Sequence, residues 1–195
     1  MYSRNSFSDI MKTKDNKELV FVHTPKCAGS YIASILSHLN IKNNSHTQAV
    51  PSDKYIYFTV IRKPVERFES LLNYRLSMKK PRKDWPKHLL YAHYDKNIKL
   101  DEIVSKMSDE DIEGFSPYKT LKYWTKNVDI IITLDNLPQL LKYFGYTYDI
   151  NSFEPVNVSK KIRGNIEKTN KERIKKLFND DIKIYNMVKK STIDF

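Results

Sequence analysis

Cysteine is nearly missing from this chain: of 195 residues, only Cys27 carries a thiol. One thiol excludes an internal disulfide and any zinc site built from several thiolates. Glycine is scarce as well, with 4 in the whole chain, and none begins a G-x-x-x-x-G-K-[ST] triphosphate-binding loop. No apolar run is long enough to span a bilayer; the longest are strand-sized. The first seventeen residues are polar and mixed in charge, without the apolar stretch of a secretory signal. These absences predict a soluble, cytoplasmic protein. Acidic residues are also in deficit, 23 against 34 basic ones, for a net charge of +11. Such a balance attracts polyanions: nucleic acid, nucleotide phosphates, acidic glycans or anionic membrane. Part of it follows from a Lys-, Asn- and Ile-rich composition of the kind AT-rich genomes produce. No zinc-finger, basic-zipper or RNA-recognition signature is present.

The length suits one domain with a proper core, 18–195, behind a polar segment, 1–17. Residues 18–23 (ELVFVH) predict a buried strand, and Tyr55–Ile61 and Val128–Leu134 two more. Ile32, Ile35, Leu36 and Leu39 recur at helical spacing after Ser30. Pro64 suits a first helical turn, followed by an inward stripe of Val65, Phe68, Leu71, Leu72 and Leu76. Residues 79–127 hold a basic, proline-broken loop and short helical pieces. Leu137–Phe144 predicts a helix stopped by Gly145. Thr169 and Glu172 form a capping-box signature before one long helix, its inner face Ile174, Leu177, Phe178, Ile182, Tyr185 and Val188. The alternation implies an α/β sandwich around a mainly parallel sheet, with ligands outside the carboxyl ends of the strands.

Two segments lie at such ends. Pro25-Lys26-Cys27-Ala28-Gly29-Ser30 offers a cation, a glycine for close backbone approach and the N–H groups of a helix start. The plain alternative is an ordinary turn with a surface lysine. In the second segment, Arg62 ends a strand and Ser70 lies about two turns into the next helix. A guanidinium and a hydroxyl there suit a terminal phosphate. The alternative is a basic helix start with a serine bonded to its own backbone. Arg67 suits a structural ion pair with Glu66 or another acid.

The order strand–PKxxGS–helix, then strand–RxPxxRxxxS–helix, resembles sulfotransferases that use 3′-phosphoadenosine 5′-phosphosulfate (PAPS), nearest to their carbohydrate branch. The resemblance implies the P-loop-like sulfotransferase fold and no metal. Lys26, Gly29, Ser30 and Tyr31, with the Pro25, Cys27 and Ala28 backbone, would hold the 5′-phosphosulfate. Arg62 and Ser70 would hold the 3′-phosphate. Residues 155–160 (PVNVSK) look like the family's "xVNxSK" segment, which brings Lys160, Lys161 and Arg163 near the nucleotide, and Asp180–Tyr185 is similar to its closing helix. The likeness covers 20–75, is looser over 128–190, and stops over 76–127, where 79–127 becomes a variable acceptor-side insertion. Cys27, Ala28 and Lys63 depart from the pattern; Cys27 has no base partner in view and suits an inert small residue.

On that reading Lys26 is catalytic and His46, in the loop after the first helix, takes the proton of the acceptor hydroxyl. A solvent-facing loop histidine is the alternative. His23 suits a local loop-shaping role, and His88 and His93 surface positions. Lys79, Lys80, Arg82, Lys83 and Lys87 can attract an acidic carbohydrate acceptor or be a solvated loop. Trp85 can stack on a sugar ring; Trp124 better suits the core. Two other classes remain: a P-loop-type nucleotide kinase, opposed by the missing GK[ST], and a non-catalytic polyanion or nucleic-acid binder. A membrane span and specific nucleic-acid binding are not expected.

Overall fold

The computed structural model describes residues 17–82, 85–114, 119–147, 153 and 163–190. Four parallel strands form one sheet: β1 (Glu18–Phe21), β2 (Lys42–Asn43), β3 (Tyr55–Ile61) and β4 (Ile130–Thr133), in the order β2-β1-β3-β4. In register, Phe21 faces Phe58 across β1 and β3, and Ile61 faces Thr133 across β3 and β4. The expected strands are therefore present, while β2 was expected as loop. Its two residues are polar and exposed, so no apolar run announces an edge strand there.

Side chains alternate between the faces of the sheet. Leu19, Phe21, Phe58, Val60 and Ile132 pack on one face against α1 (Gly29–His38) and α7 (Leu137–Tyr143). Val20, Val22 and Tyr57 pack with Trp124 of α6 (Leu121–Trp124) in a second cluster. Trp124 is a core residue, as expected. Gly145 ends α7 at φ 82°, a left-handed geometry that glycine adopts freely.

A third core lies among helices. Val65, Phe68, Leu71 and Leu72 of α2 (Pro64–Ser77) meet Leu89 of α3 (Lys87–Tyr94) and Ile103 and Val104 of α4 (Leu100–Lys106). Ile112 of α5 (Asp109–Gly114) and Ile174 of α8 (Lys168–Leu177) complete it. The segment from α3 to α5 thus shares its interior with α2 and α8. Trp85 belongs to this core at 5% exposure, which corrects the expectation that it stacks on a sugar. The long terminal helix is two, α8 and α9 (Asn179–Lys190), jointed at Phe178. Phe178 still donates to Ile174 and accepts from Ile182, so the apolar period runs through the joint and looks unbroken in sequence. The capping box is not formed: Glu167 is the N-cap, Thr169 lies inside the helix, and Glu172 pairs with Lys175.

Candidate functional site

From β1 the chain crosses by α1 to β2 on one side; from β3 it crosses to β4 on the other. That divergence makes the carboxyl ends of β1 and β3 the topological switch point, the place where ligands bind in open parallel sheets. Two buried hydroxyls brace its floor. The Thr59 hydroxyl donates to the Val22 carbonyl at 2.7 Å, so its single proton is committed and the Thr24 hydroxyl, 2.8 Å away, must donate to it.

Above that floor, residues 25–28 turn into α1. Lys26 and Ala28 both adopt left-handed backbone, φ 64° and 61°, with Cys27 between them at negative φ. Side chains other than glycine's avoid this region. Alternating handedness is the backbone pattern of anion-binding concavities, and here the Cys27 N–H in its middle donates to the Thr24 carbonyl at 3.3 Å. α1 continues it: no side chain caps its N-terminus and its first turn carries no acid. Gly29 is required by close approach, but of a side chain: a Cβ there would run into the His23 ring. Ser30 is exposed and Tyr31 half-buried on the first turn.

The second turn enters α2 through Pro64 at its first position. Arg62 donates from Nε to Glu66 at 3.2 Å, a half-exposed pair of the weak surface kind, joined by Lys63 at 3.6 Å. Glu66, Ser70 and Tyr74 follow at helical i, i+4 spacing along one line of α2. At the end of that line the Lys26 ammonium rests 4.2 Å above the Tyr74 ring. Burial and then the Arg62 charge hold the Lys26 ammonium below the ordinary lysine range. The Arg62 charge therefore reaches Lys26 from the second turn.

Arg67 explains why the turns stay together. It is 1% exposed, donates from Nε to the Pro25 carbonyl at 3.0 Å and from Nη2 to the Lys119 carbonyl at 3.2 Å. Nη1 stands 3.6 Å from Asp181 of α9, so the expected structural ion pair exists with a distant acid. Burial pushes the Asp181 carboxyl up despite Arg67, while its Oδ1 accepts from the Leu121 N–H at 2.8 Å. Cys27 lies within hydrogen-bonding reach of the Arg62 backbone N–H and of Arg67. Burial raises its thiol, in keeping with an inert role, and its backbone N–H already donates to the Thr24 carbonyl at 3.3 Å.

His46 borders the same loop. Its Nδ1 lies 3.2 Å from the His23 carbonyl, which can only accept, so Nδ1 carries the proton and Nε2 is the accepting atom of the neutral ring. The ring is exposed, 4.1 Å from the His23 ring and 6.3 Å from Trp124. Burial foremost, then the His46 and Lys26 charges, push His23 down from 6.5 to about 4. His23 is thus neutral in the fold. As pH falls below 6.5 the unfolded chain takes up a proton that the folded one refuses, so stability falls until about pH 4. Discounted for partial exposure, the loss is about 2 kcal/mol. Urea denaturation between pH 7 and pH 4 should show it in the native protein and not in His23→Phe.

The other expected residues do not gather here. Arg163 is corrected: its Nη1 donates to the Ala92, Asp95 and Ile98 carbonyls at 2.7, 3.0 and 3.4 Å, closing the end of α3 rather than a phosphate. Lys160, Lys161, Lys83 and the 155–160 segment fall outside the described residues. Lys79, Lys80, Arg82 and Lys87 are exposed around the α2–α3 loop. His88 is exposed, and His93 packs edge-on to Trp85 and Tyr94. Sequence reasoning missed Tyr74, Asp181 and Lys119; Tyr74 alone had a signal, its i+4 spacing from Ser70. Among the described residues no helix is long and apolar enough to cross a membrane, and no group of three His, Cys, Asp or Glu side chains could hold a metal ion. Compared with protein-family models, curated proteins and solved structures, the chain matches none.

Proposed function

We propose that the protein is a PAPS-dependent sulfotransferase of P-loop-like sulfotransferase fold, acting on a hydroxyl of a carbohydrate acceptor. One observation carries the reading: the left-handed turn at Lys26 and Ala28, leading into the uncapped N-terminus of α1, stands close enough to Arg62 for the Arg62 charge to lower the proton affinity of Lys26. That arrangement fits a ligand with two separated anionic groups. When bound, PAPS supplies the sulfuryl group and leaves as adenosine 3′,5′-bisphosphate. The loop at 25–31 and Lys26 hold the 5′ end, and the start of α2 holds the 3′-phosphate, Arg62 exchanging Glu66 for it and Ser70 lying further along the same face.

Sulfuryl transfer, like phosphoryl transfer, asks mainly for positioning and charge stabilisation. Lys26 and the α1 N-terminus stabilise negative charge gathering on the departing phosphate. His46 Nε2 takes the acceptor's proton.

Calorimetry with adenosine 3′,5′-bisphosphate, AMP and ATP tests the nucleotide site. The 3′-phosphorylated ligand should bind best without magnesium. Arg62→Ala should weaken it about 10- to 100-fold, the worth of a charge-assisted contact, and leave AMP nearly unaffected. Equal affinity for all three overturns the proposal. Magnesium-dependent preference for ATP would point instead to a kinase.

A further inference from the structure

The β1 end and the loop after β2 clasp one another twice. The His23 N–H donates to the Ser45 carbonyl at 3.0 Å, and the His46 ring returns a proton to the His23 carbonyl at 3.2 Å. The His46 loop is itself braced: Ser45 N–H bonds the Asn43 side chain at 2.8 Å, and Asn44 Nδ2 donates to the Thr47 and Gln48 carbonyls, both at 3.3 Å. Yet His46 is exposed, and an exposed ring on one hydrogen bond is free to turn about its side-chain bonds. The His23 ring is what limits it. That ring fills the space a Cβ at residue 29 would need and lies 4.1 Å from the His46 ring, tilted by 35°. Trp124 bounds the far edge at 6.3 Å.

We propose that His23 is a positioning residue for His46: seated on Gly29, its ring holds the His46 imidazole where Nδ1–H reaches the His23 carbonyl, leaving Nε2 to accept a proton. The catalytic consequence rests on the sulfotransferase reading. In that step the acceptor oxygen forms a bond to sulfur, the bond from sulfur to the 5′-phosphate oxygen breaks with its electron pair leaving on phosphate, and the hydroxyl proton passes to His46 Nε2. Gly29 acquires a second duty. Its missing side chain is the seat of His23, so the glycine of the anion loop also sets the proton acceptor.

The test begins without turnover. Long-range ¹H–¹⁵N spectra of the full chain at pH 7.5 report each histidine's tautomer, and His46 should show Nδ1–H in the native protein. His23→Ala should leave the circular dichroism spectrum unchanged and the affinity for adenosine 3′,5′-bisphosphate within about threefold, while His46 averages between tautomers; about threefold is below the roughly tenfold or more that losing one charge-assisted contact costs. His23→Phe, which keeps a ring on Gly29, should restore the Nδ1–H signature. Gly29→Ala, which unseats the ring, should reproduce the His23→Ala spectrum. In transfer assays His23→Ala should lower kcat about tenfold or more with KM for the donor unchanged, and His23→Phe should recover it, within the range of a mispositioned general base. An unchanged His46 tautomer in both His23→Ala and Gly29→Ala overturns the proposal. Failure of the native protein to bind the bisphosphate nucleotide would sink the sulfotransferase reading alone, since the tautomer result does not depend on it.

Discussion

Arg67→Met should lower folding stability by about 3–5 kcal/mol, the cost of stripping one partner from a buried charge pair. Methionine fills much of the volume but donates nothing to the Pro25 and Lys119 carbonyls or to Asp181. Three pieces of chain, the turn at residues 25–28, the approach to α6 and the start of α9, lose their common partner. Arg67→Lys should recover only part of the loss, because an ammonium cannot reproduce the planar fork that spans these acceptors. Urea denaturation at pH 7 measures both.

The pH dependence separates this account from simple loss of packing. In the native protein burial already raises the Asp181 carboxyl, and Arg67 opposes that rise. Without Arg67 the carboxyl rises further. A carboxyl raised above its unfolded value favours the folded state as pH falls, because the fold then binds the extra proton. The deficit of Arg67→Met should therefore shrink between pH 7 and pH 4.5, and a double variant with Asp181→Asn should lose less than the two single losses added together. A deficit independent of pH and strictly additive would mean that Arg67 acts through volume alone.

Much of this site was legible because local rules and global fold agree. β3 is a continuous apolar, β-branched and aromatic run, and its bounds came out as expected at Tyr55–Ile61. Pro64 marks the first turn of α2, and Arg62, Ser70 and Lys26 were placed by their distance from strand ends. What was hidden depends on contacts far apart in the chain. Asp181 lies near the other end of the sequence from the loop it supports, and no spacing pairs it with Arg67. The left-handed backbone at Lys26 and Ala28 carries no residue signal, since neither type favours it; strain of this kind persists only where surrounding structure imposes it. Arg67 bonding Pro25 and the Cys27 contact to the Arg62 backbone supply that imposition. Gly29 was legible as a position of close approach, but its neighbour, the His23 ring, was not. Arg163 misled because a basic residue following the PVNVSK stretch says nothing of the three carbonyls that claim it.

Lys26→Ala sets the two scales of the proposal against each other. The substitution keeps the left-handed backbone no worse than before, because alanine and lysine share the same Cβ clash at φ 64°. It removes the contact with Tyr74, a half-exposed cation–π pair worth about 0.5–1 kcal/mol. Stability should therefore change little. Sulfuryl transfer, by contrast, should fall about 10²-fold or more, since the ammonium meets charge that grows as the bond to the leaving phosphate breaks. The loss should appear mainly in kcat, with affinity for adenosine 3′,5′-bisphosphate reduced less than the rate. Radiolabelled sulfate transfer to a panel of glycans, run beside calorimetry and thermal melting, measures all three. On the sulfotransferase reading, transfer by the native protein should also decline at a lower pH than an ordinary lysine would allow, because burial and Arg62 ease the proton off Lys26. A Lys26→Ala protein that transfers sulfate within threefold of the native rate would show that this ammonium belongs to Tyr74 rather than to a ligand.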